Sequence, residues 1–133
     1  MSKKSESEIR KTIASNLEKR DFKILPEYKS TSGSIDVLAQ KGNYLFAIEV
    51  KNHPIETFDI VRSSTIVSNL KQNPEFKTQN VVGVLTSGSA ISLEAKDLGK
   101  KIGVVVTEPL SISDSLSIVL TGPDGKIKAM RKT

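Results

Sequence analysis

Cysteine is absent from the 133 residues, and histidine occurs once, at His53. Without cysteine there is no disulfide framework, no thiolate nucleophile and no cysteine-based zinc site, and a single histidine excludes a histidine-cluster metal centre. A metal, where one binds, must take oxygen ligands, which suit hard cations such as Mg²⁺ or Mn²⁺. Aromatic residues make up 5% of the chain, too few for the rows of exposed rings on which single-stranded bases stack. No apolar run is long enough to span a bilayer, and the Lys-rich N-terminus lacks the apolar stretch of a secretory signal. A cytoplasmic chain with no membrane contact is the expectation.

What is present is ordinary for one compact domain over residues 1–133: 37% hydrophobic and 26% charged residues. Lys and Arg outnumber Asp and Glu by 20 to 15, for a formal net charge of +5, which favours a polyanionic partner.

The chemistry gathers in Gly33–Asn52. Two apolar runs, Ile35–Ala39 and Tyr44–Val50, flank Gly42-Asn43, a dipeptide suited to the φ > 0 positions of a two-residue hairpin turn. With that loop, Lys41 pairs with Tyr44 and Asp36 stands across from Glu49, with Cβ atoms roughly 4.5–5.5 Å apart. With Lys41-Gly42 as the loop, Asp36 opposes Ala47 and meets Glu49 on the diagonal. Either register leaves both acids on one face, because strand side chains repeat every two residues. Lys51 shares that face with Leu45, Ala47 and Glu49, while Phe46, Ile48 and Val50 point the other way. Charge closing two apolar strands is normally paired or bound to metal. A surface salt bridge among the three is the alternative. The second Glu-x-Lys, Glu94-Ala95-Lys96, lies in a helical segment and reads as a solvated face.

Before the hairpin, Ile9, Ile13 and Leu17 recur at four-residue spacing and predict a first helix, with Ser5 and Glu8 as a capping box. Phe22–Tyr28 reads as a strand interrupted by Pro26, and Lys29–Gly33 as a loop. After it, Asn52-His53-Pro54 stops the strand. A helix follows over about Glu56–Lys71 with Phe58, Val61, Val67 and Leu70 near one face. Val81–Thr86 reads as a central strand, Ala90–Lys101 as a helix with Ile91, Ala95 and Leu98 inward, and Ile102–Thr107 as a further strand. Strand, helix, strand is a parallel crossover unit beside an antiparallel hairpin. The expected fold is α/β, a mixed β-sheet flanked by helices in the order αβββαβαβ. Its core covers about residues 6–110, with a short C-terminal β-hairpin extension, Leu116–Leu120 and Lys126–Met130 around Gly122-Pro123-Asp124-Gly125.

Asp36 followed by Glu49-Val50-Lys51 at the end of an apolar strand resembles the PD-(D/E)XK nuclease superfamily, with Ile35 where the motif has its nominal Pro. Val81–Val106, with its strand, Thr86-Ser87-Gly88 turn, helix and final strand, is similar to the Mrr-like branch of restriction endonucleases, although Glu49 stands where that branch often has Gln. The first helix and Gly33-Ser34-Ile35-Asp36 also look like archaeal Holliday junction resolvases. The resemblance implies a restriction-endonuclease-like fold and a Mg²⁺-dependent DNA endonuclease, with Mn²⁺ as substitute. Asp36, Glu49 and the carbonyl of Val50 would hold the metal. Lys51 would orient the attacking water and stabilise developing negative charge. Glu8 would join the catalytic set from the first helix, and Ser34 would contact substrate. Cutting both strands needs two sites, which makes a homodimer an expectation. A DNA-binding module that does not cut and a protein–protein scaffold are the readings from other classes.

Overall fold

The computed structural model of the chain describes residues 6–26, 28–30 and 33–121, and of residues 28–30, 33 and 34 the backbone alone. Ser5, the side chain of Ser34 and the segment Lys126–Met130 therefore lie outside the described residues. Helix α1 (Glu6–Glu18) buries the expected stripe of Ile9, Ile13 and Leu17. Each such side chain contributes about 1.5–3 kcal/mol when fully buried. A left-handed residue ends the helix: Asp21 has φ 69°, with Phe22 N–H donating to Leu17 O and Asp21 N–H to Glu18 O, both at 3.0 Å. This is the Schellman arrangement, and it shortens the expected first strand, since Phe22 closes the helix and β1 spans only Lys23–Leu25.

Beyond Pro26 the chain forms a small antiparallel sheet where a loop was expected. Strand β2 (Tyr28–Ser30) pairs with β3 (Gly33–Ile35), in register Tyr28↔Ile35. The hairpin strands β4 (Val37–Lys41) and β5 (Tyr44–Lys51) follow. Lys41 pairs with Tyr44, which decides between the two loops. Only Gly42 in that turn has positive φ, at 61°, the requirement of a type II′ turn. The main sheet is completed by β6 (Asn80–Ser87) and β7 (Val104–Val106), in the order β1-β4-β5-β6-β7. Its β1-β4 and β4-β5 pairs are antiparallel, whereas β5-β6 and β6-β7 are parallel. Helices α2 (Thr57–Lys71) and α3 (Leu93–Ile102) make the two parallel crossovers, and α4 (Ile112–Thr121) follows β7. The expected order thus lacked the β2-β3 pair and the last helix. Leu116–Leu120, expected as a strand, belongs to α4 because Ile112, Leu116 and Leu120 repeat every four residues and are buried together.

The faces of β5 divide as its alternation dictates. Phe46, Ile48 and Val50 pack with Ile9, Ile13 and Leu17 of α1 and Ile112, Leu116 and Leu120 of α4. Leu45 and Ala47 face Ile66 and Leu70 of α2. Helix α2 is rotated from its expected phase. It buries Asp59, Ile60, Ser63, Ile66 and Leu70, while Phe58 is 69% exposed and Val61 is exposed as well. The rotation follows from a close approach to β6, for a Cβ built on Gly83 would run into Ser63 Oγ. Gly83→Ala is accordingly expected to destabilise by overpacking, by about 1–3 kcal/mol, read as a lower urea midpoint. Combining it with Ser63→Gly should recover part of the loss.

Helix α3 starts later than Ala90 because Ser92 caps it, accepting from Ala95 N–H at 3.1 Å. It ends on Gly103 at φ 94°. Among the described residues, no helix is long and apolar enough to cross a membrane.

Candidate active site

The parallel strands β5, β6 and β7 end at the same edge of the sheet, where Lys51 pairs in register with Ser87. Carboxyl ends of parallel strands are where open α/β sheets present ligands. The β5 end is tied down on the β6 side: Gly88 N–H donates to Lys51 O at 3.1 Å, and Ser87 Oγ–H donates to His53 O at 2.6 Å.

On the other side of β5 the antiparallel ladder stops at Val37↔Ile48. Asp36 occupies the next step, at the bend where the chain leaves the small β2-β3 sheet for the main one. Register therefore brings it level with Glu49 as expected. Its carboxylate, however, accepts from Val50 N–H, at 2.8 Å. A side chain thus supplies the partner that a longer β4 would have offered from its backbone. The second Asp36 oxygen, Oδ1, lies 3.6 Å from Nη1 of Arg10 on α1.

Glu49 is 6% exposed, and its Oε1 is buried with no hydrogen-bond partner among the described residues. Burial pushes its carboxyl pKa up from the ordinary value; Lys51 and Arg62 draw it down, and the like charges of Asp36 and Asp59 push it further up. Lys51 does not close on Glu49 alone. Its Nζ lies 3.9 Å from Oδ1 of Asp59, a carboxylate 5% exposed at the start of α2. Asp59 Oδ2 accepts from Glu56 N–H at 2.9 Å, one half of a capping box. The same oxygen is 4.0 Å from His53 Nδ1.

The sheet edge thus gathers Asp36, Glu49 and Lys51, as their spacing predicted, and adds Asp59, Arg62 and Arg10, which the sequence reading passed over. Glu8 is exposed in the first turn of α1. Its neighbour Ile9 lines a cleft of about 400 Å³ with Ser87, Gly88, Ser89 and Leu110. Among the described residues no three or more acidic or histidine side chains form a ready metal cage.

No family model matches the chain, and no curated protein matches it. Solved structures do. EndoMS in its apo form is 24% identical with a TM-score of 0.60, over 81% of this chain and 47% of the EndoMS chain. An EndoMS complex with double-stranded DNA gives 24% identity and a TM-score of 0.62, over 78% of this chain and 44% of that one. The chain shares the EndoMS fold. The protein of unknown function AF1548 shares it at 19% identity and a TM-score of 0.53, over 75% of this chain and 57% of its own. The chain spans about half the length of these structures.

Proposed function

We propose that this chain is a Mg²⁺-dependent DNA endonuclease, with Mn²⁺ as substitute. The observation that carries the proposal is Glu49: a buried carboxylate with raised pKa and an oxygen lacking a donor among the described residues, level with Asp36 at the end of the β4-β5 ladder and beside Lys51. Burial of that kind is costly unless a cation compensates it, and two carboxylates with the Val50 carbonyl suit a hard, oxygen-seeking ion. When bound, the ion would offset charge on the scissile phosphate and activate water.

The chain's own residues would do the rest. The Val50 N–H fixes the Asp36 carboxylate, and Lys51 would steady the attacking water and the charge that develops on the phosphate. Arg10 beside Asp36 and Arg62 within the field of Glu49 put positive charge around the acids, where a phosphate backbone would pass. Glu8 stays in the proposal as a further catalytic residue and Ser34 as a substrate contact. The likeness to a DNA-bound EndoMS supports the choice of DNA, whereas a place in the Mrr-like branch rests on Val81–Val106 alone. Two such sites in a homodimer would cut both strands.

Supercoiled, linear and branched DNA incubated with the protein and Mg²⁺ or Mn²⁺ should be cleaved. Asp36→Ala should leave no product above background; product at the parental rate would remove the assignment. A second reading has its own observation. Arg10 and Lys51 already offset the charge of Asp36 and Glu49, as suits a DNA-binding module that does not cut. Salt-sensitive binding without product at any metal concentration would select it.

A further inference from the structure

We infer that Asp59 is a positioning residue for Lys51: from the start of α2 it holds the ammonium off Glu49 and so keeps the Glu49 carboxylate open to a cation. The inference rests on the proposed roles of Glu49 and Lys51. Three observations carry it. Asp59 is nearly sealed from solvent, yet capping its helix requires only an oxygen that accepts from Glu56 N–H, which a neutral side chain would also supply. Its two oxygens divide the work, Oδ2 to Glu56 N–H and Oδ1 towards Lys51 Nζ. Glu49 Oε1, meanwhile, has no donor among the described residues, although Lys51 leaves the same face of β5 two residues on and carries the opposing charge with the largest pull on Glu49.

An ammonium with a four-carbon stem would otherwise settle on that oxygen, since burying an acceptor unpaired is unfavourable. The charge of Asp59 supplies the competing pull. Lys51 is left between two buried acids, near enough to act on a phosphate beside Glu49 and not bound to the carboxylate that would hold the ion.

Asp59→Asn tests this, because the amide keeps an oxygen for Glu56 N–H and removes only the charge. In the metal-free parental protein, ¹⁵N-lysine NMR should show an ordered Lys51 ammonium with Overhauser contacts to the Asp59 methylene. In Asp59→Asn those contacts should vanish, and Mn²⁺ affinity should fall on the order of 10-fold, the usual effect of an outer partner of a metal site. In a Lys51→Ala background the same substitution should change Mn²⁺ affinity less than about 2-fold, for there is no ammonium left to swing across. A loss of equal size in both backgrounds would overturn the inference, since Asp59 would then act through its own charge. Missing Asp59 contacts in the parental protein would overturn it without any variant. Parental protein that shows the contacts and the coupled Mn²⁺ effect but never cleaves DNA would instead sink the nuclease reading and leave the positioning of Lys51 standing.

Discussion

Lys51→Ala is expected to lower the single-turnover rate of DNA cleavage by on the order of 10²–10³, the loss seen when a preorganised donor to a developing negative charge is removed. Mn²⁺ affinity should stay the same or tighten. Lys51 lies among the groups that Glu49 and Asp59 feel, so deleting its charge leaves the acids free for a cation and removes a competitor for them. An effect confined to the rate, with DNA affinity held, is the signature of an interaction made in the transition state. Stability should change little: the ion pair with Asp59 is long, at 3.9 Å, and the buried Asp59 keeps its cap to Glu56 N–H. A Lys51→Ala protein that cleaves at the parental rate would reduce Lys51 to a salt-bridge partner of Asp59, and the catalytic sense of Glu49-Val50-Lys51 would go with it.

The parts of the fold legible in the sequence are those where one period dominates. Gly42-Asn43 and the alternation of Tyr44–Lys51 fix a register in which Lys41 meets Tyr44. That register carries Asp36, Glu49 and Lys51 to one edge before any tertiary contact is considered. Helix α1 is equally plain, since Ile9, Ile13 and Leu17 form one stripe. Helix α2 carries two competing apolar stripes, and Gly83, a residue with no side chain on a distant strand, selects the one through Ile60, Ser63 and Ile66.

That rotation also hid part of the site. Asp59 turns inward only in the observed phase, although Glu56-Thr57-Phe58-Asp59 has capping-box spacing and could have marked it. Arg10 lies off the α1 stripe and reads as solvated until Asp36, from another element, lies opposite it. The tail failed for a different reason: Leu116–Leu120 is short, and only with Ile112 does its four-residue spacing become visible.

Glu49→Gln should raise stability while removing cation binding and cleavage together. The sign follows from the direction of the Glu49 pKa, which burial holds above its ordinary value. Folded protein then binds this proton more tightly than unfolded protein does, so stability falls as pH rises from the ordinary carboxylate range through the raised value. Below the ordinary carboxylate range both states are protonated, and parental protein and Glu49→Gln should unfold alike. Above the raised value the variant, which has no charge to bury, should be the more stable by about 1 kcal/mol, as for one unsatisfied buried group, or roughly 3–5 °C in Tm for a chain of this size. Divalent cation should invert the comparison. At about 100 times Kd, Mn²⁺ would stabilise the parental protein by about 2.7 kcal/mol, and Glu49→Gln should gain little because it offers the ion a neutral amide in place of a carboxylate. Thermal melts of both proteins across pH, with and without Mn²⁺, give every quantity needed. A gap between the two proteins that does not widen with pH would mean that Glu49 is not carrying its charge against burial. Equal Mn²⁺ stabilisation of both would take Glu49 out of the proposed ligand set, whatever the cleavage assay shows.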